Sequence, residues 1–187
     1  MGNARFALLL AAAGFAAGCE SIEVSTESAP RADLGAVHSW GWVQGQQTGT
    51  LGSPEDRQHV LGAIADSLAA ELAKTGVASA AGGAPDVLVA FDVGAENVSR
   101  YVDYTRTTGH GYAWRGFHPM ETTEVERVLV EYALGTLVVD LVDAKTGNFL
   151  WRGTAQAAVE RDLPRAEKES LAREAVVKII KEFSAAR

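Results

Sequence analysis

The sequence predicts an α+β domain, a two-layer sandwich whose mainly antiparallel sheet carries two long helices packed on one face. Three observations predict it. Two segments place apolar residues at helical spacing, one mid-chain and one at the C-terminal end. Between them lie consecutive runs rich in Val, Leu, Phe and Tyr, the composition of strands. The order is therefore strand, helix, several strands, helix, and each helical stripe needs an apolar sheet face to cover it.

The first predicted strand is Ala36 to Val43, with Trp40 and Trp42 on one face and Ser39 and Gly41 on the other. Ser53-Pro54 opens the first helix. Ser53 is a good N-cap, Pro54 suits the first helical position, and Glu55 and Asp56 favour the positive end of the helix dipole. Val60, Leu61, Ile64, Leu68 and Leu72 form its buried stripe, and Gly76 ends it.

A loose loop, Ala78–Pro85, leads to Asp86–Val93, so apolar and β-branched that it suits a strand covered on both faces. Val98 to Tyr104 alternates, with Val98, Arg100, Val102 and Tyr104 on one side. Thr105 to Thr123 reads as irregular. Val125 to Asp143 exceeds the usual strand length of about 3–10 residues, which predicts a bulge or bend at Gly135. Asp143 to Asn148 is a turn, with Asp143 able to hold the backbone and Gly147 free to take positive φ. Phe149 to Glu160 returns as a strand in which Trp151 packs inward and Arg152 faces Asp140 across the hairpin. Pro164 then starts a closing helix with Ala172, Val176, Ile179, Ile180 and Phe183 as its apolar stripe.

The N-terminus carries a different signal. The single cysteine, Cys19, follows Arg5, an apolar stretch from Phe6, and the small residues Ala16, Ala17 and Gly18. This resembles a bacterial lipobox, although Ala16 stands where Leu is usual. In such a site a diacylglycerol joins the cysteine thiol and residues 1–18 are removed as a signal peptide. The apolar core, Phe6 to Gly18, is 13 residues, short of the roughly 20 that a membrane-spanning helix needs.

Removal of residues 1–18 leaves 169 residues with 24 acids against 16 Lys and Arg, a net charge of −8. That length suits one domain with a real core. The acidic balance argues against binding nucleic acid or anionic lipid by a broad electrostatic footprint. With no second cysteine there is no disulfide framework, so packing must hold the fold. Residues 19–34 are polar, contain Pro30 and show no periodicity, so they read as a flexible tether ahead of a single domain at 35–187.

The segment GTLVVDLVD at Gly135–Asp143, then Lys145-Thr146-Gly147 and Leu150-Trp151-Arg152-Gly153, resembles the family called domain of unknown function 4136. Trp40-Gly41-Trp42, the long helix and Pro85–Val89 resemble that family's other blocks in the same order. The resemblance implies a lipoprotein of the bacterial cell envelope. It brings no established activity and no catalytic residues.

Candidate chemistry is sparse. His110 and His118 share one segment with Glu121 and Glu124 nearby, but a pair eight residues apart is not a recognised zinc spacing. The Asp143–Asn148 turn lacks the alternating carboxylates of a calcium loop. There is no Gly-x-Ser-x-Gly elbow, and Gly109-His110-Gly111 lacks the strand, helix and Gly-Lys-Ser/Thr of a phosphate loop. Glu124 and Glu126 alternate on a strand edge and read as solvated. No catalytic residue, metal ligand or cofactor is therefore expected.

Tyr112, Trp114 and Phe117, in a glycine-containing stretch, are the candidate partner contacts. The alternative is that they cap the end of the sheet as core. The expected role is a non-catalytic structural or binding module, anchored to membrane through lipidated Cys19, with an unknown protein or small-molecule partner. An accessory subunit of an envelope transport or assembly complex is the alternative. Glu20 after the cysteine, where Asp would signal inner-membrane retention, points to the outer membrane, facing the periplasm.

Overall fold

A computed structural model describes residues 22–50, 53–108, 122–160 and 163–187. It is an α+β fold built on one six-stranded mixed sheet and two helices. In chain order the elements are β1 (Glu23–Ser28), a short 3-10 turn (Leu34–Ala36), β2 (Ser39–Thr50), α1 (Pro54–Lys74) and β3 (Ala78–Ser79). There follow β4 (Val87–Thr108), β5 (Thr122–Asp143), β6 (Phe149–Val159) and α2 (Arg165–Ala186). The strands lie in the order β1-β6-β5-β4-β2-β3.

Three features differ from the sequence-based expectation. The sheet is mixed, because β2 pairs parallel with both β4 and β3 while β4, β5, β6 and β1 pair antiparallel. The 21-residue helix α1 explains this: it carries the chain back along the sheet, so the next strand runs the same way as β2.

Residues 23–28 are not a tether. They form an edge strand on β6, from Glu23 opposite Gln156 to Ser28 opposite Trp151, and Ile22 and Leu34 are buried. Their polar side chains misled the reading because an edge strand is held by backbone hydrogen bonds and needs few apolar side chains. The third difference is β5, which runs unbroken for 22 residues, with Gly135 in register with both Ala95 and Ala157. No bulge occurs there, since β4 matches it over its whole length.

The local signals of the turns and caps hold. Ser53 Oγ accepts from Asp56 N at 3.1 Å and Pro54 is the first residue of α1. Asp143 Oδ1 accepts from Lys145 N, Thr146 N and the Thr146 hydroxyl, at 3.0, 2.7 and 2.8 Å, and Gly147 takes φ +71°. Arg152 donates twice to Asp140, at 2.6 and 2.8 Å. A further tie joins distant segments: Asp86 Oδ2 accepts from His38 N, Ser39 N and Ser39 Oγ at 3.1, 2.9 and 2.9 Å. The Ser39 hydroxyl and the His38 N–H hold the Asp86 carboxyl below its ordinary range, and the Thr146 N–H and hydroxyl do the same for Asp143.

The core lies between the helices and one sheet face. Val87, Val89, Phe91 and Val93 of β4 alternate inward with Leu137, Val139 and Leu141 of β5. Trp151 of β6 is fully buried, edge-on to Phe183 of α2 with ring centroids 5.3 Å apart. Gly153 makes room for it: a Cβ there would sit 2.5 Å from the Trp151 ring and 2.6 Å from Ile179. At the far end of α2, Arg187 donates to the carbonyls of Thr75 and Val37, each at 2.7 Å, and of Leu34 at 3.2 Å. Its guanidinium also stacks on Phe183. One side chain thus fastens α2 to the end of α1 and to the segment entering β2.

Thermal melts check this packing. Trp151→Ala removes a buried indole, which typically costs ~3–5 kcal/mol, so the melting temperature or the yield falls sharply. Gly153→Ala overpacks the same spot and costs about 1–3 kcal/mol. Gly147→Val also destabilises, because a β-branched side chain is poorly accommodated at positive φ.

Acid unfolding follows from the carboxylates. Asp86 and Asp143 have lower pKa values folded than unfolded, so their stabilisation is complete above about pH 4 and fades as pH falls through the lowered folded values. Melting temperature should therefore drop on acidification below about pH 4. Asp86→Asn should melt lower than the parent at pH 7, and the difference should narrow as both are acidified.

Candidate functional site: an apolar cavity at one end of the sheet

The inward face of the sheet changes character along the strands. The rows Val89-Leu141-Trp151 and Phe91-Val139-Gly153 are filled by large side chains, Trp151 covering Gly153. The next rows, Val93-Leu137-Ala155 and Ala95-Gly135-Ala157, taper to small residues. Beyond them comes Ala133, opposite Val159. The facing turns of α2 present Ala172 and Ala175, where Ile179 and Phe183 stood further along. Helices pack on a sheet at a spacing that large side chains fill, so small ones on both sides leave a void.

A cavity of about 170 Å³ occupies that place. Val60 of α1, Leu171 of α2 and Ile22, just ahead of β1, complete its apolar lining. An engineered cavity of about 150 Å³ with an apolar lining stays dry and accepts benzene, which sets the scale of ligand that fits. At the rim, Asp56 accepts from Arg165 Nε at 3.0 Å and from Lys168 Nζ at 3.2 Å, and Arg165 also reaches Glu55 at 2.9 Å. Arg165 first, then Lys168, hold the Asp56 carboxyl below its ordinary range. An ionised carboxylate shared by two cations is a strut between the helices, with no free base to offer.

Sequence reasoning missed this cavity. The legible signal was small residues at inward positions of several elements at once: Ala133 and Gly135, Ala155 and Ala157, Ala172 and Ala175. The register that aligns them is a tertiary fact.

Of the sequence-predicted site residues, Cys19, His110, Tyr112, Trp114, Phe117, His118 and Glu121 lie outside the described residues. Among the described residues no three His, Cys, Asp or Glu side chains converge as a metal site would need. No helix among them is long and apolar enough to cross a membrane.

Residues 24–183 match the family model described as Domain of unknown function (DUF4136). The chain belongs to that family. The match begins within β1, which agrees with the edge strand as part of the domain.

None of the curated proteins compared with the chain matches it. Solved structures show only distant similarity. A PDZ domain protein from Parabacteroides distasonis has 16% identity and a TM-score of 0.47, the match covering 87% of this chain and 36% of that one. The chain thus spans about a third of that protein. A PelC dodecamer from Paraburkholderia phytofirmans has 12% identity and a TM-score of 0.44, covering 88% of this chain and 98% of that one. Likeness at this level identifies no function.

Filling the cavity checks its reality. Ala172→Leu places a larger apolar side chain in open space, so the protein should melt at or above the parent temperature. A loss of several degrees would mean the space is already occupied.

Proposed function

We propose that this protein is a cell-envelope lipoprotein, anchored through Cys19, whose domain is a non-catalytic binding module for a small apolar ligand. The cavity carries the binding half of this reading: it is mainly apolar, sized for one ring or a short aliphatic segment, and of its lining charges Asp56 and Lys168 are paired with each other. The lipobox-like segment ending at Cys19 supports the anchoring half. Glu20 in the position after the cysteine favours the outer membrane, inner leaflet. No cofactor is assigned.

An accessory role in an envelope transport or assembly complex is a second reading. It is favoured by the exposed Tyr101, Tyr104, Val125 and Leu129, which are more apolar than a solitary module needs.

Both halves are testable. Cys19→Ser should give an unprocessed or soluble species, and a variant that still matures and fractionates with membranes would remove the anchoring reading. Benzene near saturation should raise the melting temperature of the parent, while Ala172→Leu should show a smaller rise. An equal rise in both, or none in the parent, would remove the cavity from the account.

A further inference from the structure

β4 and β5 outrun the rest of the sheet. β2 last pairs with β4 at Thr50–Gly94, and β6 last pairs with β5 at Val159–Ala133. From Val98–Tyr132 to Thr108–Thr122 the two strands pair, among the described residues, only with each other. These 11 rows make a ribbon of about 35 Å at the usual rise per residue. A two-stranded ribbon wet on both faces is marginal in water.

This ribbon is also greasy. Tyr101 is 68%, Val125 61%, Tyr104 55% and Leu129 48% exposed. With Val128 they are five of the six large apolar side chains that stand exposed among the described residues. The body of the domain shows only Val177. An exposed apolar surface of this kind marks a place for contact with a partner or a membrane.

The position of the start of β1 points to the membrane. β1 runs away from the ribbon, from Glu23 opposite Gln156 to Ser28 opposite Trp151, so its start lies at the ribbon end of the sheet. Ile22 lines the cavity there beside Ala95 and Ala133, at the ribbon's root. Three residues on, Cys19 is within about 10 Å of Ile22 even with the chain fully extended. A lipid on Cys19 therefore brings the bilayer to the same end from which the ribbon projects, and the ribbon is long enough to meet it.

Its chemistry suits the headgroup layer and not the hydrocarbon. Tyrosine is enriched at membrane–water interfaces. Arg127 is neutralised by Asp103, at 2.8 and 3.3 Å, and Arg100 stacks over Tyr132 at 5.5 Å. A single ribbon cannot cross alone, because among the described residues neither of its edges is paired and hydrocarbon cannot satisfy that backbone. The exposed charge on Glu126 opposes crossing too.

We propose that the β4–β5 ribbon is a membrane-surface arm: it lies in the headgroup layer of the leaflet that holds the lipid of Cys19, with Tyr101, Val125 and Leu129, which share one ribbon face, as its contacts. The inference rests on the lipoprotein reading. It fixes the domain at two points, one covalent and one interfacial, and so holds the mouth of the cavity close to the lipid surface.

The test uses the full lipidated chain in vesicles of phosphatidylethanolamine and phosphatidylglycerol. Lipidation blocks Cys19, so Leu129→Cys supplies the single free thiol for an environment-sensitive fluorophore. Ser28→Cys, at the opposite end of β1, is the control, and both variants are first shown to melt like the parent. Lipids brominated near the top of the acyl chain should remove most of the emission at position 129 and leave position 28 unchanged. If the chain pellets with vesicles but position 129 is not quenched, the arm does not touch lipid and the proposal falls while the anchor stands. If position 129 is shielded from water without quenching by lipid, and copies of the chain crosslink through it, a protein surface covers the ribbon and the proposal falls. If the chain acquires no lipid and does not pellet, the lipoprotein reading fails and takes the arm with it.

Discussion

The seat of Trp151 over Gly153 is the constraint on which the rest of the fold depends. β6 is the strand that joins the edge strand β1 to the long pair β4–β5, and its indole packs on Phe183 of α2. Trp151 is fully buried, and its Nε1 finds no hydrogen-bond partner among the described residues. An unsatisfied buried donor costs about 1–3 kcal/mol, so the ring is retained for its contact area and shape. The absent side chain at Gly153 is what lets a ring that large lie flat between strand and helix. Arg152, between them, points the other way and clamps Asp140, so the Trp-Arg-Gly triplet serves the core, the hairpin and close packing in three successive residues.

The two helices are held together at both ends by polar contacts. At the start of both, Glu55 and Asp56 of α1 meet Arg165 and Lys168 of α2. At the far end Arg187 binds three backbone carbonyls and lies over Phe183. Exposed ion pairs are individually worth little, typically below about 1 kcal/mol. Their value here is geometric. They fix the spacing of the helices above the rows where the core is small, and a cavity persists only where its walls cannot collapse.

Much of this was legible from the chain. Ser53-Pro54, the stripe Val60 to Leu72, the Asp143–Gly147 turn, the Arg152–Asp140 pair and the burial of Trp151 are local or nearest-neighbour signals, and each appears as read. The parallel pairing of β2 with β4 was not legible, because strand order is decided by where α1 delivers the chain. β1 was hidden by its polar side chains, since edge pairing draws on backbone groups that every residue has. The cavity was hidden for a third reason: six small residues become a hole only when register and helix placement bring them together. The candidates the sequence did offer, Cys19, Tyr112, Trp114, Phe117 and the two histidines His110 and His118, lie outside the described residues.

The same strands therefore serve two ends differently. Toward the Asp143 turn, β4, β5 and β6 are covered by large side chains and by both helices, and the fold is anchored. Toward Gly94 and Ala133 the side chains shrink, then the neighbouring strands stop, and finally the helices no longer cover the sheet. Stability declines in that direction, because buried apolar contacts per residue decline. The cavity, the start of β1 and the ribbon all lie at the weaker end. A protein with only about 5–15 kcal/mol to hold it together keeps an open cavity and an uncovered ribbon only if the opposite end is packed without compromise. The Trp151–Gly153 seat is that compensation, and the cavity and the ribbon lie away from it.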